Sequence, residues 1–264
     1  MGPAFVTGGS SGIGFAAAVL LAKKGHDIAM FARDPGKLSA ARTAILEQAP
    51  TVQVREFAVD VSDRKAVFSA VTEAIAVMGA PKVAIASAGI AQPGLFTEQP
   101  LDLHERHMQV NYFGALYFVS ALHRAMAEAG GGQIGLISSG TAFFGIYGYG
   151  AYAPSKFALR GLAEVLHIEL ETDGISVTVC YPPDTDTPQL EAEMASKPRA
   201  TAKISQGGGL WQAEDVARKL VDGMQRGKLV VAPGFQMAGL NRFTSLIAPL
   251  LRWHQRRIVR KYGP

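Results

Sequence analysis

A glycine-rich turn, Thr7-Gly8-Gly9-Ser10-Ser11-Gly12-Ile13-Gly14, separates a strand-length apolar run at 3–7 from a helical pattern at 12–24. No other stretch narrows the fold so far. Glycine allows a sharp reversal from strand to helix and lets a phosphate approach bare backbone. The helix that follows offers unpaired N–H groups and the positive end of its dipole. The turn therefore predicts the first βα unit of a dinucleotide-binding sheet, with Gly8, Ser10, Ser11, Gly12, Ile13 and Gly14 at the cofactor. Its glycine spacing, G-x-x-x-G-x-G, differs from the G-x-G-x-x-G of the long dinucleotide-binding enzymes.

The rest of the chain repeats that unit. Further strands are expected near 26–32, 52–58, 82–87, 133–138, 175–181 and 228–232, and further helices near 35–48, 63–78, 101–129, 151–172 and 213–226. Such alternation implies an α/β fold, a Rossmann-like, doubly wound parallel sheet. The 264 residues, 48% of them hydrophobic, suit one catalytic domain over 1–232 followed by a basic amphipathic tail over 233–264.

Composition excludes several classes. The chain enters a strand at once, so no signal or transit peptide is expected. A single cysteine, Cys180, forbids an internal disulfide, suits a reducing compartment and reads as core. A cytoplasmic location is expected, with a peripheral place on the membrane face as an extension of it. No uninterrupted apolar run reaches the roughly 18 residues of a spanning helix. No nucleic-acid partner is expected. Eight Lys/Arg and no acid follow Asp222; subtracting them from the net +4 leaves −4 for residues 1–222.

Cofactor choice is read at the end of the second strand. An NAD site usually places a carboxylate there for the ribose 2′-hydroxyl. This chain has Ala32, then Arg33, with Lys37 four residues on, and two cations suit the 2′-phosphate of NADPH. Asp34 is the contrary residue, although beside Pro35 it fits the start of the next helix. Within Ala58-Val59-Asp60-Val61-Ser62, a side chain can meet the adenine amino group, and Ser62 can cap the following helix. The small residues Ala88-Gly89 let backbone lie against the cofactor.

The chemistry is read from Ser139 and Tyr152-Ala153-Pro154-Ser155-Lys156. Four residues apart on a helix, Tyr152 and Lys156 stack one turn apart. A phenol has a pKa near 10, and a neighbouring ammonium is expected to pull it toward working pH. Ser139 follows an apolar strand, so its hydroxyl can converge with the phenol on one oxygen atom. Asn111 lies inside a long helical pattern, where its amide competes for backbone groups. A helix break holding a water and plain packing both account for it. His104 and His107, three apart without a third ligand nearby, are expected at a surface or subunit contact and not at a metal. Phe143, Phe144, Tyr147 and Tyr149 fit either an apolar substrate cleft or packing.

The glycine turn, Ala88-Gly89, Asn111, Ser139 and Tyr152-x-x-x-Lys156 occur in order and at matching spacings. The chain thereby resembles the short-chain dehydrogenase/reductase family over residues 3 to 232. That resemblance implies a catalytic tetrad of Asn111, Ser139, Tyr152 and Lys156, with Tyr152 and Lys156 also touching the cofactor. Residues Ala86-Ser87 depart from the family's usual Asn-Asn or Asn-Cys. A narrower resemblance rests on Tyr181 to Pro188, Ser155 to Glu164 and Ala32-Arg33-x-x-x-Lys37. These are similar to the 3-ketodihydrosphingosine reductase group of that family. This implies a segment, including Pro182 and Thr185, closing over cofactor and long-chain amino-ketone. It also matches Arg33 and Lys37 to the NADPH phosphate, and Asp60, beside Val61, to adenine.

The expected activity is NADPH-dependent reduction of 3-ketosphinganine to sphinganine, a lipophilic small molecule, with Asp184 or Asp186 facing the substrate ammonium. Two rivals are another lipophilic ketone as substrate and a non-catalytic NADP-binding sensor. Surplus apolar residues on the helices near 101–129 and 151–172 imply a homodimer or homotetramer. The tail combines apolar residues with six Lys/Arg over 235–262; Leu246, Leu250, Trp253 and Arg257 share one helical stripe. It fits a peripheral membrane contact or a lid on its own domain.

Overall fold

The computed structural model describes residues 1–206 and 209–263. Nine strands are present among them: β1 (Ala4–Thr7), β2 (Ile28–Ala32), β3 (Val54–Ala58), β4 (Val83–Ala86), β5 (Gly132–Ile137), β6 (Ile175–Cys180), β7 (Thr185–Asp186), β8 (Trp211–Gln212) and β9 (Val230–Val231). Seven lie in one sheet in the order β3-β2-β1-β4-β5-β6-β9. Every pairing in it is parallel. β7 and β8 pair separately.

The strands are short and apolar because helices cover both faces. Alternation along each strand divides the core in two. Phe5, Ala29 and Phe31 face a cluster shared with α3 (Arg64–Met78), α5 (Gly114–Glu128) and α6 (Tyr152–Glu169). Ala4, Val6, Ile28 and Met30 face α1 (Gly12–Lys23), α2 (Pro35–Gln48) and α9 (Ala213–Gln225). On the first face Phe31 contacts Phe5, Phe57 and Phe118 at ring separations of 5.7, 5.0 and 5.6 Å. Burying each such ring contributes about 2–3 kcal/mol.

Helix starts follow local chemistry. Asp34 caps α2 by accepting from the Lys37 N–H at 3.1 Å, with Pro35 in the first helical position. At α3 the cap is Asp63, which accepts from the Ala66 N–H. Ser62, the expected cap, is committed instead to Asp60. The pattern at 101–129 resolves into α4 (Leu101–His107), a π-helical segment at Met108–Phe113 containing Asn111, and α5. The helix is therefore interrupted at Asn111, which is also buried, so both readings of that residue have a counterpart in the structure. After β6 come α7 (Pro188–Met194) and α8 (Arg199–Ser205), which the sequence reading left without helices. The chain closes with α10 (Gly234–Tyr262), which contains Pro249.

Strand order reverses between β1 and β4. In doubly wound sheets ligands bind in the crevice outside the carboxyl ends of the strands at such a point.

Candidate active site

One wall of that crevice is the glycine turn. Thr7 Oγ1 accepts from the N–H groups of Ser87 and Ala88 at 3.1 and 3.2 Å, joining the ends of β1 and β4. Gly8 adopts φ +66°, and a Cβ there would come within 2.8 Å of the Ala88 nitrogen. A Cβ at Gly14 would strike the Gly8 carbonyl oxygen. The first turn of α1 receives no side-chain cap from Ser11, so its N–H groups are free of that competitor for an anion. This is a cradle of bare backbone suited to a pyrophosphate.

All the residues expected at the cofactor line the same cleft except Gly14, which packs beneath the turn. Arg33 and Lys37 stand exposed at its β2 end. The Asp34 carboxylate is occupied at the α2 cap. Asp60 accepts from the Ser62 N–H and hydroxyl at 2.9 and 2.7 Å. Burial alone would raise its pKa, but those two bonds and the nearby Arg33 charge hold it below the usual carboxylate range.

The opposite wall brings together the expected catalytic side chains. Ser139 lies two residues beyond the end of β5, and its hydroxyl accepts from the Thr141 N–H at 3.2 Å. Tyr152 opens α6, and the Lys156 Nζ lies 5.6 Å from the tyrosine ring centre. Lys156 donates to the Ile137 carbonyl at 2.9 Å. Asn111 sits behind the cleft. Its Oδ1 accepts from the Ile90 N–H at 2.8 Å, and its Nδ2 donates to the Ile90 carbonyl and the Ser155 hydroxyl at 3.0 and 2.9 Å. Ser155 in turn donates to the Tyr152 carbonyl at 2.7 Å. The π segment is thus tied both to the β4 loop and to the start of α6.

The electrostatics differ from expectation in one respect. Tyr152 is 7% exposed. Burial, reinforced by the Glu193 charge, pushes its phenol above the ordinary value, while hydrogen bonding to Ser139 works the other way. Lys156 faces Ile137 and does not produce the lowering read from the sequence. Burial pulls the Lys156 ammonium itself down to about 8, with Glu193 opposing.

Glu193 is the site residue that the sequence reading missed. It is 7% exposed on α7, yet lines the cleft. It accepts from the Tyr149 hydroxyl at 2.9 Å and from Gln189 at 3.3 Å. Asp184 also reaches the cleft, whereas Asp186 is exposed and lies outside the lining. The only available signal was a proline-started helix directly after an acid-rich segment.

His107 corrects another expectation. It is buried, not at a surface. Its Nδ1 bonds the Leu103 carbonyl at 2.7 Å, its Nε2 accepts from the Gln92 N–H at 3.2 Å, and its ring lies 6.2 Å from that of Tyr152. His104 packs edge-on against Phe96. No metal-binding group of His, Cys, Asp or Glu occurs among the described residues. The aromatic cluster divides: Phe143 packs on Tyr181, while Phe144 and Tyr149 line the cleft. Gln255 of α10 accepts from the Tyr147 N–H at 2.9 Å and donates to the Gly145 carbonyl at 3.0 Å. Met237 and Leu240 of α10 complete the lining.

A dinucleotide cradle at the sheet's switch point, facing a half-buried serine and a buried Tyr/Lys pair, defines a nucleotide-dependent oxidoreductase. The chain belongs to the short chain dehydrogenase family, whose profile matches residues 3–198. It is 38% identical over 248 residues to a 3-dehydrosphinganine reductase of Danio rerio, covering 93% of this chain and 75% of that protein. A 3-dehydrosphinganine reductase of Arabidopsis thaliana is 37% identical over 254 residues, with the same coverage. Among solved structures, levodione reductase superposes with a TM-score of 0.82 at 26% identity, covering 90% of this chain and 98% of that one. L-sorbose reductase from Gluconobacter frateurii, complexed with NADPH and L-sorbose, gives 0.74 at 25% identity, covering 84% and 89%.

Proposed function

We propose that the protein uses NADPH to reduce the ketone of 3-ketosphinganine, giving sphinganine. The observation that carries this reading is the identity of more than a third, over 93% of the chain, with proteins named for that reaction. The convergence of Ser139, Tyr152 and Lys156 on one cleft supports it. Arg33 and Lys37, with no carboxylate at the end of β2, favour the 2′-phosphate.

NADPH bound on the glycine turn supplies the hydride. Ser139 hydrogen-bonds the carbonyl oxygen and Tyr152 donates the proton that completes the alcohol. Burial keeps the phenol protonated until the oxygen becomes basic. Lys156 holds positive charge beside the developing oxyanion and would hold the nicotinamide ribose of a bound cofactor. Asn111 fixes the start of α6 and the β4 loop at the distance the reaction needs. Reduction rates for a panel of long-chain amino-ketones, 3-oxoacyl thioesters and steroids test the substrate assignment; the amino-ketone should lead by tenfold or more.

The same reading extends to assembly and location. The inner face of α10 supports a lid, since Met237 and Leu240 are buried in the core. Its outer face leaves Leu246, Leu250 and Trp253 at 79%, 61% and 56% exposure. Arg242, Arg252, Arg256 and Arg257 accompany them on the same helix. A basic amphipathic helix of this kind rests at a lipid interface, where a long-chain ketone would be drawn from the bilayer. No described helix is long and apolar enough to cross a membrane. Phe157, Val165 and Ile168 of α6 are exposed apolar residues that a second copy would cover.

A further inference from the structure

The wall of the cleft beyond Tyr152 already holds an ammonium. Lys197 Nζ lies 3.8 Å from Asp184 Oδ2 and 3.9 Å from Glu193 Oε2, and 5.7 Å from the centre of the Tyr149 ring. Its side chain is 2% exposed. Two carboxylates and an aromatic face are the groups that recognise a primary ammonium. One cation cannot neutralise both acids, and at these distances it hydrogen-bonds neither. Of the two acids only Glu193 is deeply buried, and a buried carboxylate is costly unless a further cation reaches it.

The Glu193 carboxyl stands close to the reacting centre. Tyr149 bridges Glu193 to Tyr152: its hydroxyl bonds Glu193 Oε2, and its ring lies 5.5 Å from the Tyr152 ring. On the other side, Gln189 donates to Glu193 Oε1. The Gln189 Oε1 and the Lys156 Nζ come within 3.9 and 3.5 Å of the place a Gly89 side chain would occupy. A ketone bonded to Tyr152 would put the nitrogen of a neighbouring carbon against this wall. Glu193 has lone pairs to spare beyond Tyr149 and Gln189.

We infer that Glu193, seconded by Asp184, is the residue that selects a ketone carrying an ammonium on the adjacent carbon over a neutral ketone of the same length. This rests on the reading in the preceding section and puts Glu193, with Asp184, where the sequence pointed to Asp184 or Asp186. Burial favours the protonated form of Glu193 while the wall lacks a second cation. The substrate ammonium restores the carboxylate, so recognition and ionisation are coupled.

The test compares two substrates: 3-ketosphinganine and 1-hydroxyoctadecan-3-one, which keeps the chain, hydroxyl and ketone but lacks the amine. Wild-type enzyme should prefer the amine by tenfold or more in kcat/KM. Glu193→Gln should cut the preference for the amino-ketone over the deamino ketone by about 10- to 100-fold in kcat/KM, on top of any common change that both substrates feel through Tyr152, the scale of one charge-assisted contact. NADPH affinity, followed by fluorescence, should stay within about threefold. Where Glu193→Gln lowers the yield of folded protein, Glu193→Gln paired with Lys197→Met removes charge from both sides and is read in the same way. Equal losses on both substrates, or none on either, would overturn the role of Glu193. Wild-type enzyme that reduces neither ketone, or does not distinguish them, would remove the substrate assignment as well. A wild-type preference that survives in the variant would remove only Glu193.

Discussion

The Lys156 ammonium donates to the Ile137 carbonyl at 2.9 Å, where β5 ends against α6. The bond anchors a buried cation where α6, which carries Tyr152, meets the strand that leads to Ser139. Its cost is visible in the pKa, which falls from 10.5 to about 8 through burial. The unfolded chain then binds more protons than the native one between pH 8 and 10.5, so this group's contribution to stability rises with pH across that window. It is lost again as pH falls through 8. Lys156→Met should remove the dependence. Urea unfolding of cofactor-free protein at pH 7.5 and 9.5 should show the stability difference between variant and wild type shifting by about 2 kcal/mol in the direction of wild type at the higher pH. A constant difference would mean that Lys156 is not buried as a cation.

Arg33 and Lys37 project from the β2 end, where the Asp34 carboxylate accepts from the α2 backbone and Asp60 from Ser62. Arg33→Ala removes a charge-assisted contact worth roughly 1.5–3 kcal/mol. The kcat/KM preference for NADPH over NADH should fall by about tenfold or more. Equal use of both cofactors by the wild-type enzyme would contradict the assignment.

The tail prediction needs point variants. Removing α10 would also strip Met237 and Leu240 from the core. Leu246→Ser with Trp253→Ser changes only the outer face. Full-length wild-type protein should sediment with anionic liposomes at low salt and less at high salt, each cation near the surface adding about 1 kcal/mol. The double variant should bind several-fold more weakly at unchanged activity toward a detergent-solubilised substrate. Equal sedimentation of the two proteins would leave α10 as a lid alone.

For assembly, light scattering at micromolar concentration should give a dimer or tetramer. Phe157→Glu with Ile168→Glu, both on the exposed side of α6, should shift it to the monomer. A monomeric wild type would reject this face as an interface.

Sequence reading reached the fold because period and punctuation agree. Apolar strand runs such as Phe5-Val6 and Ile28 to Phe31 are buried on both sides, and glycines mark the turns between elements. Ser139, Tyr152 and Lys156 were legible because a strand end and a single helical turn position them locally. Glu193 was not. Its place depends on how α7 lies across the cleft, with Thr187 against Gly12 at one end and Tyr149 at the other, and no local spacing encodes that. His107 was misread for a similar reason: its partners, Leu103 and Gln92, come from its own helix and a distant loop. The phenol's raised pKa was equally invisible, since it arises from burial and from Glu193 rather than from the helical neighbour.

Transfer of a hydride to the ketone carbon, with Tyr152 giving the proton, is the central claim. Its most direct test is incubation of 3-ketosphinganine with NADPH deuterated at the transferable position, followed by mass spectrometry of the product. Wild-type enzyme should give sphinganine with a single deuterium on the carbinol carbon. Tyr152→Phe should form it at least about 100-fold more slowly while still binding NADPH. Absence of sphinganine with the wild-type enzyme, or near-normal turnover by Tyr152→Phe, would contradict the account.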